Sequence, residues 1–95
     1  MPLETRPYDS ARYLDSDEAI AEYVTDAFES GDAAVIAHAL GVAARARGMT
    51  QLAKDAGLSR ESLYKALSET GNPEFSTVLR VAKALGLKVT TVAAE

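Results

Sequence analysis

Residues 48–68 read GMTQLAKDAGLSRESLYKALS, and the fold turns on this stretch. A helix-turn-helix needs a short first helix, a tight turn made by a small residue, and a second helix with one face exposed. Ala53 is small where the two helices would cross at close range, and Gly57 supplies a left-handed turn without a Cβ penalty. Leu52, Ala56, Leu58, Leu63 and Ala66 then form an internal seam, while Ser59, Arg60, Glu61, Tyr64, Lys65 and Ser68 point outward. Thr50 is expected to cap the first of the two helices and Ser59 the second, which runs to about Thr70.

Outward from this motif the pattern stays helical. Gly71-Asn72-Pro73 reads as a stop and turn, and Ser76 as the cap of a last helix with Val78, Leu79, Val81, Ala82 and Leu85 apolar, ended by Gly86. Upstream, Asp32 caps an alanine-rich helix in which Val35, Ile36, Leu40, Ala43 and Ala44 recur on one side. His38, Gly41 and Arg45 fall on its polar side, so His38 reads as a surface histidine. Before it, Asp15 or Ser16 caps a helix with Ile20, Tyr23, Val24, Ala27 and Phe28 on one face, and Glu18, Glu22, Asp26 and Glu29 on the other. Residues 1–14 show two prolines and no period, and read as an extended arm. Residues 15–95 form one helical domain, with the motif at 50–68. Residues 87–92 alternate and are β-branched, which leaves a short strand and a frayed tail both open. The expectation is an all-α domain of five helices with an N-terminal arm and a short C-terminal tail or strand.

Composition removes several classes of function. The chain has 95 residues, enough for one core, and no cysteine, so disulfides and thiolate chemistry are excluded. His38 is the single histidine and has no cluster of ligands around it, so no metal site and no cofactor is expected. No serine has a nearby histidine and no glycine-rich loop follows a strand, so catalytic residues are not expected either. No apolar run reaches the ~20 residues of a membrane span, and the N-terminus lacks a signal pattern, which suggests a cytoplasmic protein. The net charge of −4 hides a division. Residues 1–32 hold nine acids against two bases, a net −7, and residues 33–95 hold eight bases against five acids, a net +3. Such a split suits one acidic and one basic partner surface.

The stretch from Gly48 to Ser68, continued through Asn72-Pro73 and the last helix, resembles the Cro/C1-type (XRE) DNA-binding family. The resemblance covers about residues 33–86 and implies a five-helix, lambda-repressor-like DNA-binding domain. With its YDSARYLDSDEAIAEYVTDAF opening at residues 8–28, the whole chain further resembles the HigA-like addiction-module antidote subgroup. That implies an antitoxin that represses its own operon and neutralises a RelE/ParE-like toxin. A stand-alone prophage-type repressor without a toxin is the alternative, and a pure protein-interaction bundle is the rival from another class.

On this reading Arg60 suits bidentate contact to guanine, and Lys65 suits phosphate. Glu61 suits either cytosine or the helix dipole, and Tyr64 either DNA or packing beneath the helix. Asn72, Ser76 and Thr77 lie where a phosphate can meet a helix start. Gln51 stands about two residues closer to the turn than the backbone-contacting glutamine of most such repressors, so Thr50 or Lys54 can take its place. Ser59 and Ser68 complete the expected DNA-binding set. The resemblance places a homodimer contact near the last helix and tail, with Leu85, Leu87, Val89 and Val92 as candidates; Leu85 also suits the monomer core. RelE-like toxins, as the resemblance implies, act on messenger RNA and so carry a basic surface. Tyr8, Tyr13 and Leu14 are therefore expected to dock into the toxin while Asp15, Asp17, Glu18 and Glu22 face its basic site.

Overall fold

The computed structural model describes residues 14–68 and 71–94. Five helices follow one another: α1 (Asp17–Ser30), α2 (Ala33–Arg47), α3 (Met49–Ala56), α4 (Arg60–Ala66) and α5 (Phe75–Ala84). Among the described residues there is no strand, and residues 87–94 carry no regular structure. The arm residues 1–13, including Tyr8 and Tyr13, lie outside the described residues.

Local chemistry sets most of the boundaries. Ser16, rather than Asp15, caps α1: its Oγ accepts from Ala19 N at 3.1 Å. Gly31 closes the helix in the left-handed conformation, at φ 71°. Asp32 Oδ1 then accepts from Ala34 N at 2.8 Å and from Val35 N at 3.3 Å, opening α2. Ser59 caps α4 through a 3.0 Å bond from Ser62 N. At the end of α3, Gly57 N donates to Lys54 O at 3.1 Å and Leu58 N to Ala53 O at 2.9 Å. This pair of bonds closes a helix on a left-handed residue, and Gly57 has φ 74° with open space where a Cβ would stand. Its requirement is one of backbone conformation, not of room.

Two expected caps are corrected. Only Gly48 separates α2 from α3, so Thr50 already lies inside α3 and Gly48 holds the N-cap position without a side-chain bond. In α5 the turn delivers helical backbone from Phe75, with Val78 N bonded to Glu74 O at 3.0 Å. Ser76 is therefore an exposed residue of the first turn, not the cap. Helix α4 also stops at Ala66, short of Thr70. Leu67 leaves helical geometry there, and Ser68 Oγ donates to Lys65 O at 3.0 Å, taking a carbonyl that a continuing helix would use.

The core is built on α2. Ala37 and the unbroken run from Ala39 to Ala44 are buried, because α2 packs against α1, α3 and α5 together. A helix covered on several sides loses its polar face. Gly41, expected on that face, is accordingly buried against Leu67, whereas Val35, expected inward, is 43% exposed near the start of α2. His38 and Arg45 are exposed, as expected. Leu40, Leu52, Leu63, Val81 and Leu85 are each buried almost completely and bring α2, α3, α4 and the end of α5 together. Among the described residues no polar or charged side chain is buried.

One further expectation changes here, and the two readings of Leu85 are decided. Leu14, expected as an exposed anchor for a toxin, belongs to the core beside Ile20 and Val24. Leu85, a dimer candidate, is 1% exposed and closes the monomer's own core, which leaves it no surface to offer a second copy. The start of α1 is fastened across the fold by Arg47, whose Nη2 donates to Asp17 Oδ1 at 2.9 Å and to Leu85 O at 3.2 Å.

Because Leu52 is fully enclosed where α3 meets its neighbours, Leu52→Ala should lower the unfolding free energy by about 2–5 kcal/mol. Urea denaturation followed by circular dichroism measures this, and a loss below ~1 kcal/mol would mean that the site collapses around the void.

Candidate nucleic-acid interface

Helices α3 and α4 are joined by three residues, Gly57 to Ser59. The inner side of the pair carries Leu52, Ala53, Ala56 and Leu63, all buried. With Leu63 turned inward, helical geometry sends Arg60, Glu61, Tyr64 and Lys65 outward, and all four are exposed. Thr50, Gln51 and Lys54 are exposed on α3, as are Ser59 and Ser68 at the two ends of α4. Three cations, Lys54, Arg60 and Lys65, thus share this surface with two acids, Asp55 and Glu61.

The polar groups differ in how free they are. Gln51 Nε2 donates to Asp55 Oδ1 at 2.9 Å, one turn along the same helix. Its amide is thus already engaged. Arg60 Nη1 donates to Thr50 Oγ1 at 3.1 Å and Nη2 to Tyr64 OH at 3.3 Å. The guanidinium carbon lies 5.4 Å from the centroid of the Tyr64 ring, within cation–π range. Tyr64 is 44% exposed, so it does not pack beneath the helix.

A shallow cavity of about 420 Å³ opens between the end of α4 and the start of α5. Its lining includes four of the expected residues, Lys65, Ser68, Asn72 and Thr77. They come from segments separated in sequence and are brought together by the turn at Gly71. A Cβ on Gly71 would stand 2.5 Å from the carbonyl oxygens of both Lys65 and Ala66, so the chain passes there closer than any side chain permits. Ser76 is exposed but does not line this cavity. Ser62 also lines it, although in the sequence nothing distinguishes its hydroxyl from the other polar residues of an exposed face.

The other two expected surfaces are only partly assembled. Asp15, Asp17, Glu18 and Glu22 are all exposed, and Asp17 alone of these is paired among the described residues, with Arg47. Leu87 is half-buried against the core, Val89 is 38% exposed and Val92 is 89% exposed. Phe75 (72%) and Leu79 (39%), the latter part of the apolar pattern of the last helix, are exposed on α5 as well. Among the described residues no group of histidine and acidic side chains could hold a metal ion, and no helix is long and apolar enough to cross a membrane.

Comparison with known proteins adds a family. The sequence profile of a family described as "Probable addiction module antidote protein" matches residues 4–93. A Haemophilus influenzae (strain Rd) protein, described as an "Uncharacterized protein", is 49% identical over 88 residues, which cover 93% of this chain and 91% of its own. No solved structure gives a significant match.

Since a methyl group at Gly71 would meet two backbone oxygens, Gly71→Ala must displace the turn that carries Asn72. A stability loss of about 1–3 kcal/mol is expected in a thermal melt. Amide chemical shifts at Asn72 and Thr77 should move with it; unmoved shifts would mean that α4 yields instead.

Proposed function

The chain belongs to the family of probable addiction module antidote proteins, and on that premise we propose that it is the antitoxin of a type II toxin–antitoxin pair. In this reading α3 and α4 act as a helix-turn-helix within a lambda-repressor-like fold, binding operator DNA to repress the chain's own operon. The observation that carries it is the disposition of α4, in which one buried leucine, Leu63, turns Arg60, Glu61, Tyr64 and Lys65 to solvent together. Helix α4 would lie in the major groove with Arg60 reading guanine O6 and N7. Lys65, Ser68, Asn72 and Thr77, around one cavity, would receive a backbone phosphate, with Lys54, Ser59 and Ser76 alongside. Gln51, held by Asp55, contributes less on this view than Lys54, since the Thr50 hydroxyl is engaged by Arg60.

Operators of this type are read by two heads about 34 Å apart, so the active species is a homodimer. Val89 and Val92, with Leu87, remain the proposed contact. The toxin partner is of the RelE/ParE kind, and the exposed Asp15, Asp17, Glu18 and Glu22 would face its basic surface while Tyr8 and Tyr13 dock. Family membership favours this over a stand-alone repressor, which would have no partner for the acidic side.

Arg60→Ala should weaken operator binding by about 1–3 kcal/mol and relax base preference, whereas Lys65→Ala should weaken all sequences evenly and reduce the salt slope by about one. Gel-shift titrations at several salt concentrations test both, and two variants indistinguishable from the parent would remove α4 as the reading element. The arm is tested separately. Because Leu14 is part of the core, the truncation must stop at Tyr13. A chain lacking residues 1–13 should still bind operator DNA but should fail to protect growing cells against the toxin encoded beside it; full protection would exclude the arm.

A further inference from the structure

Resting on the DNA-binding reading above, we propose that Thr50 and Tyr64 are positioning residues. They hold the Arg60 guanidinium as a pre-oriented fork for one guanine, and they set base preference without touching a base.

Arg60 is the first residue of α4, where the positive end of the helix dipole disfavours a cation. It is exposed, and an exposed arginine has many rotamers open to it. Three contacts nevertheless place it. Thr50 Oγ1 accepts from Nη1 at 3.1 Å, the Tyr64 hydroxyl accepts from Nη2 at 3.3 Å, and the Tyr64 ring lies 5.4 Å from the guanidinium carbon. The contacts come from two elements, Thr50 near the start of α3 and Tyr64 one turn further along α4. A change in how α3 meets α4 would therefore move the fork.

Both partners are neutral, so the positive charge stays uncompensated by them. Arg47 shows the opposite case: its Nη2 donates to the Asp17 carboxylate and to Leu85 O, which ties the group into the fold. A guanidinium has five N–H donors, and the two hydroxyls occupy one on each Nη. One donor on each Nη and the Nε–H remain, and bidentate contact to guanine O6 and N7 takes two. Fixing such a side chain before binding removes part of the ordering cost at the interface, roughly 2- to 12-fold in affinity for one immobilised side chain.

The test uses the full-length chain and a duplex selected from a random-sequence pool, with its single-base-pair replacements and a shuffled duplex as control. Thr50→Val removes the hydroxyl at nearly the same volume, and Tyr64→Phe keeps the ring. Each should bind the selected duplex roughly 2- to 12-fold more weakly, with the shuffled duplex unaffected. Discrimination should flatten at the same base pair that Arg60→Ala affects, and in the Arg60→Ala background neither change should cost anything further. In the free protein, relaxation of the Arg60 Nε–H should report a restrained side chain that both variants release, with the exposed Arg45 as reference. Equal losses with and without Arg60, or equal losses on the shuffled duplex, would make Thr50 and Tyr64 direct DNA contacts and overturn the proposal. So would an Arg60 as mobile as Arg45 before DNA is added. If the parent chain selects no duplex at all, the DNA-binding reading fails and this proposal with it, a result distinct from DNA binding without coupling.

Discussion

Leu63 is buried completely between α3 and the rest of the core, and the seven residues of α4 depend on it. A helix of this length does not persist alone in water, since nucleation costs more than so few backbone bonds return. Ser59 satisfies the first turn, and the burial of Leu63, with Leu67 at the C-cap, holds the helix against the protein. The same side chain determines which residues face out. It shares one core cluster with Leu40, Leu52, Val81 and Leu85, from α2, α3 and the end of α5, and α3 is the helix against which α4 chiefly packs.

Alanine makes that anchorage possible. Ala43, Ala44, Ala53 and Ala82 are all buried, and small side chains let helix axes approach without large apolar groups between them. The result is a small core with no buried polar group to satisfy among the described residues. Polar side chains among the described residues are confined to the surface, where acids and bases concentrate on different helices. The exposed acids of α1, Glu18, Glu22, Asp26 and Glu29, lie on one element, and Lys54, Arg60 and Lys65 lie on two others. Arg47 joins the halves by bonding Asp17 and the carbonyl of Leu85 together. As a partly exposed pair it adds little stability, but it fixes where α1 begins relative to the end of α5.

Local signals in the chain are physical requirements of single residues, and these could be read directly. Asp32 and Ser59 sit where a helix needs an acceptor, Gly31 and Gly57 where the backbone turns left-handed, and Leu52 and Leu63 at the spacing of a buried seam. From them came the five helices, the three-residue turn before α4 and the outward set of polar residues. Thr50 and Ser76 match the cap pattern without being caps, because each hydroxyl stands two residues past the residue that holds the N-cap position.

What periodicity could not decide was how many neighbours each element has. A single helix face can be inferred when one partner covers it, but α2 meets α1, α3 and α5, so Gly41 and its surroundings are buried on sides that a one-face pattern assigns to water. Leu14 precedes any helix, so it has no period to mark it as core, and only packing across the chain encloses it. The Arg60 fork is of the same kind. Arginine and tyrosine four residues apart are visible in the chain, whereas the Thr50 hydroxyl reaches the guanidinium only because α3 and α4 are folded against each other.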